Sequence, residues 1–304
     1  MATSEEHDAI RGVTEGSRPE WAIITPDARM QPLFDVVDEV VVAAEQTVGA
    51  VAEAEDHFVR CDSYVLARAI NGVKSARLLI GAGHWEHATA LARQLFELLV
   101  NMEHLGSFAD RAEAQKLYNR FGFFQFFLAE FRRIEFEKGR GRSVGTPWEL
   151  GVKDHLENHC AEFKLPSRAD GVVRWRSNWS GKTIRALAES SPDPMRVPQY
   201  ELLFSAWSEQ THATPGVFAG DLFLKYEEEV IAEALAEIEG ISPELLPPIG
   251  GAARRGVQTL SMATVLFVQL WQQLPNVTQP GSRGLGWLER IKAFAGEKGL
   301  PIAE

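Results

Sequence analysis

The sequence predicts an all-α protein: a multi-helix bundle of mainly antiparallel helices with peripheral C-terminal helices. Three observations carry this. Apolar residues recur at helical spacing through most of the chain, capping residues and glycine stops fall at the ends of those periodic segments, and no segment alternates apolar with polar residues under β-branched enrichment. A hydrophobic content of 45%, with 8 Trp and 17 Phe among 304 residues, supplies enough apolar surface for a sizeable core.

The elements follow in order. Leu33, Val36, Val37, Val40, Ala44, Val48 and Val51 form one stripe, which predicts a long amphipathic helix over about Pro32 to Val59. A second helix follows Ser63, with Val65, Leu66, Ala69, Ile70, Val73, Leu79 and Ile80 as its stripe, and Gly81 and Gly83 end it. The short turn between them implies antiparallel packing. A third helix, about Trp85 to Leu105, carries Ala88, Leu91, Leu95, Leu98, Leu99 and Met102 on one side and Phe96 and Val100 on its flank, an apolar arc wide enough for a central helix.

A fourth helix, Phe108 to Lys138, includes FGFFQFFLAEF, whose Phe123, Phe124, Phe127 and Phe131 are expected in the core. Thr146, Pro147 and Glu149 then provide a capping threonine, a first-turn proline and a reciprocal glutamate, so a helix starts at Pro147. Periodicity fails between Lys164 and Gly181, which predicts a loop, and a short helix resumes after Ser180. Further helices fit Pro198 to His212, Leu222 to Glu239, Ala252 to Leu274 and Leu285 to Glu297. Residues 1–30 read as a mobile tail, 31–240 as the helical bundle, and 241–304 as C-terminal helices on the same domain.

Composition narrows the setting. The net charge of -11 opposes non-specific attraction to nucleic acid or an anionic membrane unless basic residues cluster locally. The first residues have neither a basic n-region nor an apolar h-region, and Met262 to Trp271 is far shorter than the roughly 20 residues of a membrane span. With only Cys61 and Cys160 there is no disulfide framework or thiolate zinc site, so the expectation is a cytoplasmic protein without a cofactor.

The candidate chemistry lies where polar residues fall on stripes that ought to be buried. Tyr200, Phe204, Ser208 and His212 are successive fourth residues on one helical face, widened by Leu203 and Trp207. An unpaired polar group there costs roughly 1 to 3 kcal/mol, so Ser208 and His212 each require a partner, in a structural pair at the helix end or in a pocket. On the third helix Arg93 and Glu97 are also four apart, either as a solvated pair or as a buried cation awaiting an anion from Glu97 or a ligand. Between Arg168 and Arg185, Arg174, Arg176, Lys182 and Arg185 interleave with Trp175 and Trp179, the combination of charge and stacking faces that suits RNA, or else a solvated loop anchored by two tryptophans.

Other motifs carry less. Glu209 and His212 make a single Glu-x-x-His, where a di-iron bundle needs two. His155 and His159 are one turn apart, but Glu157 is out of register for a zinc-protease helix. The SGKT at Ser180 lacks the upstream glycine of a phosphate loop, since Arg176 stands there, and no strand precedes it. No metal is implied.

The run LLIGAGHWEHATALARQLFELLVNMEHL, Trp179 ahead of SGKTIRALAES, and Tyr200 with SEQTH resemble the bacterial all-helical family known as domain of unknown function fifty-six seventy-seven. Arg93, Glu97, Tyr200, Ser208 and His212 are the positions that match its pattern, over about Val36 to Leu235. The resemblance implies a helical bundle of unassigned activity, akin to the helical ribonuclease folds of toxin and defence systems. Those enzymes set an Arg shortly before a His, the guanidinium steadying phosphate and the imidazole acting as acid or base, a spacing that Arg77 and His84 satisfy.

Three readings therefore stay open. The first is an uncharacterised helical module whose cluster of Arg93, Glu97, Ser208 and His212, with Tyr200, binds a small anionic ligand. The second is a metal-independent ribonuclease using His212 or His84 with Arg93 or Arg77. The third is a structural subunit that binds a partner, a second copy among the options, through the aromatic fourth helix.

Overall fold

The computed structural model describes residues 30–142, 145–166, 173–206 and 252–297. Among these residues the regular elements are helices, in chain order α1 Gln31–Ala50, α2 His57–Gly81, α3 Trp85–Gly106, α4 Arg111–Gly139, α5 Pro147–His159, α6 Ile184–Glu189, α7 Arg196–Glu201, α8 Ala252–Gln272 and α9 Gly281–Glu297. No described helix is long and apolar enough to cross a membrane. The chain divides into two compact units, residues 1–99 with 198–304 and residues 100–197.

In the first unit α1 packs on α2, α8 on α1, α2 and α9, and α9 returns to α1. The apolar stripes of the sequence account for this. Leu33, Val37, Val40 and Ala44 of α1, Leu66, Ala69 and Val73 of α2, Leu260, Leu266 and Phe267 of α8, and Ile291 of α9 are fully buried. The first helix ends at Ala50 rather than near Val59, because Asp56 takes an N-cap role: its carboxylate accepts from the Phe58 and Val59 amides and starts α2. The turn reverses the chain, and Lys74 meets Glu45 at 2.7 Å while Arg77 meets Asp38 at 3.4 Å, as antiparallel helices require. Gly256 lets α8 come close, since a Cβ there would lie 3.2 Å from Ile80 Cγ2.

One buried polar contact ties this unit together over a long sequence distance. Asp62, 1% exposed, accepts from the backbone amide and the side-chain amide of Asn276, at 3.0 and 2.9 Å. Arg290 adds a two-pronged pair with Glu39 at the surface, and holds that carboxyl below its ordinary range.

In the second unit α4 packs on α5, and α5 runs into a 3-10 turn, Ala161–Phe163. Helix α4 begins at Arg111, not near Phe108, because the Asp110 carboxylate caps it through the Glu113 amide. Its aromatic run divides. Phe121 and Phe124 are buried at 5% and 0%, whereas Phe123, expected in the core, is 64% exposed because one helical step turns it about 100° from Phe124. Phe127 and Phe131 are half-buried.

Helix α5 starts at Pro147 with Thr146 as its cap, as the sequence predicts. The Glu149 carboxylate forms an ion pair with Lys138 instead of reaching back in the expected reciprocal bond. Within the aperiodic stretch, Lys164 and Trp175 form an isolated antiparallel bridge, with the Leu165 amide on the Arg174 carbonyl and the Arg176 amide on the Phe163 carbonyl. Helix α7 runs directly into a π-helical turn over Leu202–Ala206, and the rest of the helix expected from Pro198 to His212 lies outside the described residues. The helix expected from Leu222 to Glu239 lies outside the described residues. The last helix begins at Gly281 rather than Leu285.

Candidate functional site

In the first unit, Arg93 and Glu97 sit on the flank of α3, beside the buried Ala92, Leu95, Phe96 and Leu99. Arg93 Nε lies 3.5 Å from Glu97 Oε1, with the two side chains 29% and 40% exposed. A pair of that length and exposure contributes at most a few tenths of a kcal/mol. The stronger constraint on Arg93 is aromatic. Its guanidinium carbon lies 3.9 Å from the centroid of the Phe204 ring, in cation–π contact.

Phe204 in turn stacks on Tyr200, with centroids 4.7 Å apart and planes 15° from parallel, and Phe96 meets both rings at 6.0 and 6.5 Å. Arg93, Phe204 and Tyr200 thus form a short ladder, and the wide apolar arc of α3 meets another element there, as its sequence implied. The ladder is built on the π turn. Such turns hydrogen-bond from each residue to the fifth along and are frequent at functional sites, and the strict four-residue register from Tyr200 does not pass through this one unchanged. Ser208 and His212 lie outside the described residues.

The chemistry available at Arg93 is anion recognition. Apart from its Nε contact with Glu97 and the ring of Phe204, it has no ion pair or hydrogen bond among the described residues, so its terminal N–H donors are uncommitted. A guanidinium presents those donors as a planar fork that matches a carboxylate or phosphate edge.

In the second unit, the basic and aromatic residues of the aperiodic stretch separate. Trp179 is 3% exposed, and its indole N–H donates to Asn101 Oδ1 at 2.6 Å. His104, Tyr118 and Phe108 surround it at 5.5, 5.4 and 6.1 Å between ring centroids. Trp175 packs on Phe124 at 5.2 Å under the Lys164 ammonium. These faces are therefore packed inward, unlike the open stacking surfaces single-stranded RNA needs. Burial, with a smaller contribution from Lys182, holds the His104 imidazole below its ordinary pKa. Arg174 is half-buried and Arg176 exposed.

One constellation escaped the sequence reading altogether. Glu103 and Arg196, with side chains 4% and 2% exposed, form a buried ion pair in which Arg196 Nε and Nη2 both donate to Glu103 Oε1, at 2.9 and 2.6 Å. Ser191 Oγ donates to Glu103 Oε2 at 2.9 Å, and Asp193 Oδ2 lies 3.0 Å from the same guanidinium. The signal was present but faint: Glu103 continues the apolar line of Phe96 and Leu99 on α3.

The remaining candidates are dispersed. The Arg77 guanidinium lies 3.7 Å over the Phe34 ring and points Nη2 at Asp38, while His84 is 58% exposed and approaches Glu86 at 3.9 Å. His155 stacks on His159 at 5.2 Å and on Phe127 at 4.0 Å. No group of three or more His, Cys, Asp or Glu residues suited to a metal ion occurs among the described residues. Cys160 is buried, which pushes its thiol pKa up.

With this geometry in hand, comparison with known proteins gives one match. The model of a family of unknown function (DUF5677) matches residues 63–229, more than half of the chain, and so covers α3, the ladder at Arg93 and the whole second unit. No curated protein and no solved structure matches.

Proposed function

The chain belongs to the family of unknown function DUF5677, a membership that brings no mechanism with it, and we propose that it is a helical binding module in which Arg93 receives a small anionic ligand. The observation that carries this reading is the Arg93 guanidinium held over the Phe204 ring with its terminal donors uncommitted. Tyr200 and Phe204 support it from behind. Ser208 and His212, a few residues further along the same segment, are the additional donors the reading assigns to the ligand, with Glu97 keeping the guanidinium in place.

A thermal-shift series with inorganic phosphate, pyrophosphate and citrate tests it. The wild-type chain is stabilised by at least one of these anions, and Arg93→Ala and His212→Ala lose that stabilisation, with affinity falling tenfold or more, about what loss of a charged hydrogen bond costs. Variants that respond to the anions like the wild type, and differ only in starting stability, reduce the cluster to a structural role.

A second reading has its own support. Phe123 and Phe126, three residues apart on one face of α4, are 64% and 53% exposed, more aromatic surface than a solvated helix needs. A second copy covering this face predicts a concentration-dependent mass in light scattering that Phe123→Ser with Phe126→Ser abolishes. The ribonuclease reading finds less to rest on, because Arg77 is engaged by Phe34 and Asp38. RNA incubated with the chain and a chelator tests it: no cleavage, or cleavage that survives both His212→Ala and His84→Ala, sinks the assignment.

A further inference from the structure

The second unit contains a cleft of about 560 Å³ that has no part in the Arg93 reading. Its apolar lining comes from Phe163 and Ala114, both buried, with half-buried Leu117 and the Phe108 ring. Phe108 is 41% exposed, and its inner side is fixed by His104 at 5.0 Å and Trp179 at 6.1 Å between ring centroids. A ring held from behind and open in front is a ready-made wall for a flat apolar group.

The charges of the cleft are already matched, with one exception. Arg120 Nη2 lies 2.9 Å from Glu162 Oε2, Glu113 Oε1 takes the Lys116 ammonium at 2.6 Å, and the Asp110 carboxylate caps α4 through the Glu113 amide. Arg176 is exposed and has no side-chain ion pair or hydrogen bond among the described residues. Its backbone is nonetheless pinned, because its amide donates to the Phe163 carbonyl at 2.9 Å beside the Lys164–Trp175 bridge.

We infer that this cleft binds an organic monocarboxylate with a flat apolar body, the carboxylate on the Arg176 guanidinium and the body against Phe108, Leu117 and Phe163. A guanidinium fork fits a carboxylate edge. The lining sets the acids Asp110, Glu113 and Glu162 against Arg120 and Arg176, so among the described residues Arg176 is the one lining cation left for a ligand, and the surplus of acids disfavours a dianion such as a phosphate monoester. The volume falls within the range of small-molecule pockets. This site shares no residue with the Arg93 ladder, so either assignment stands without the other.

The experiment titrates the full chain with benzoate and 3-phenylpropionate by calorimetry and saturation-transfer NMR, with benzamide as the neutral counterpart. The carboxylates bind saturably with ring protons in contact, benzamide binds far more weakly, and Arg176→Gln lowers carboxylate affinity about tenfold or more. Arg133→Gln, on the exposed face of α4, removes the same charge without effect. The assignment is overturned if Arg176→Gln binds like the wild type, if benzamide matches benzoate, or if neither carboxylate binds at millimolar concentration. Because Arg176 is exposed, its replacement leaves the fold intact, and circular dichroism of the variant verifies this.

Discussion

Arg196 grips a single oxygen of Glu103 with two of its nitrogens, across 93 residues of chain and out of reach of solvent. The other carboxylate oxygen is filled by Ser191, and Asp193 takes a further edge of the guanidinium. Both charges are desolvated, so the pair specifies where the start of α7 sits more than it adds net stability. Removing Arg196 leaves the Glu103 carboxylate buried without its cation, and removing Glu103 takes from the buried guanidinium the acid that holds two of its nitrogens. Glu103→Ala and Arg196→Ala are each expected to cost about 3–5 kcal/mol in urea unfolding, while Glu103→Leu with Arg196→Met recovers most of that loss.

Phe123 and Phe124 are neighbours in sequence and opposites in energetics. Phe124→Ala opens a cavity beside Phe121, Phe163 and Trp175 and is expected to cost about 3–5 kcal/mol. Phe123→Ala, at 64% exposure, should change stability by less than about 0.5 kcal/mol. Chemical denaturation of the two variants side by side measures the contrast, and equal losses would mean that Phe123 is covered in solution.

Asp62 anchors the loop ahead of α9 to α2 through two bonds from Asn276. Asp62→Ala strands the Asn276 amide and its side chain, at a cost of about 1–3 kcal/mol. Hydrogen exchange should show the loss first in α9, with α4 and α5 unaffected.

His104 makes stability depend on pH with a definite sign. Burial lowers its folded-state pKa, so the unfolded chain binds the proton more readily. This contribution is fully present above the unfolded value of about 6.5 and is lost progressively as pH falls from there through the lower folded value. His104→Gln should flatten the dependence between neutral and mildly acidic pH, read as the unfolding midpoint at several pH values. A steeper slope in the variant would mean that another group dominates.

The candidate sites were legible to unequal degrees. Arg93 and Glu97 stood out because charged residues fell beside the wide apolar arc of α3, and Arg93 does meet an aromatic ring of another element rather than open water. Arg176 was visible as one of several basic residues, but nothing local to its sequence marked it as lining a cleft. Trp179 looked like a stacking face and is a core side chain instead, because the partners that enclose it, Asn101, His104 and Tyr118, are some 60 to 80 positions away.

The sequence by itself determined the helical class, most helix positions, the Thr146 cap and the stripes that form the core, since each follows from spacing within about one to four residues. Only the tertiary structure decided which faces were covered, that Glu103 and Arg196 pair, that Asp62 holds Asn276, and that the segment after Tyr200 takes a π turn. Those outcomes depend on which helices meet, and the helical period records a face to be buried without recording what buries it.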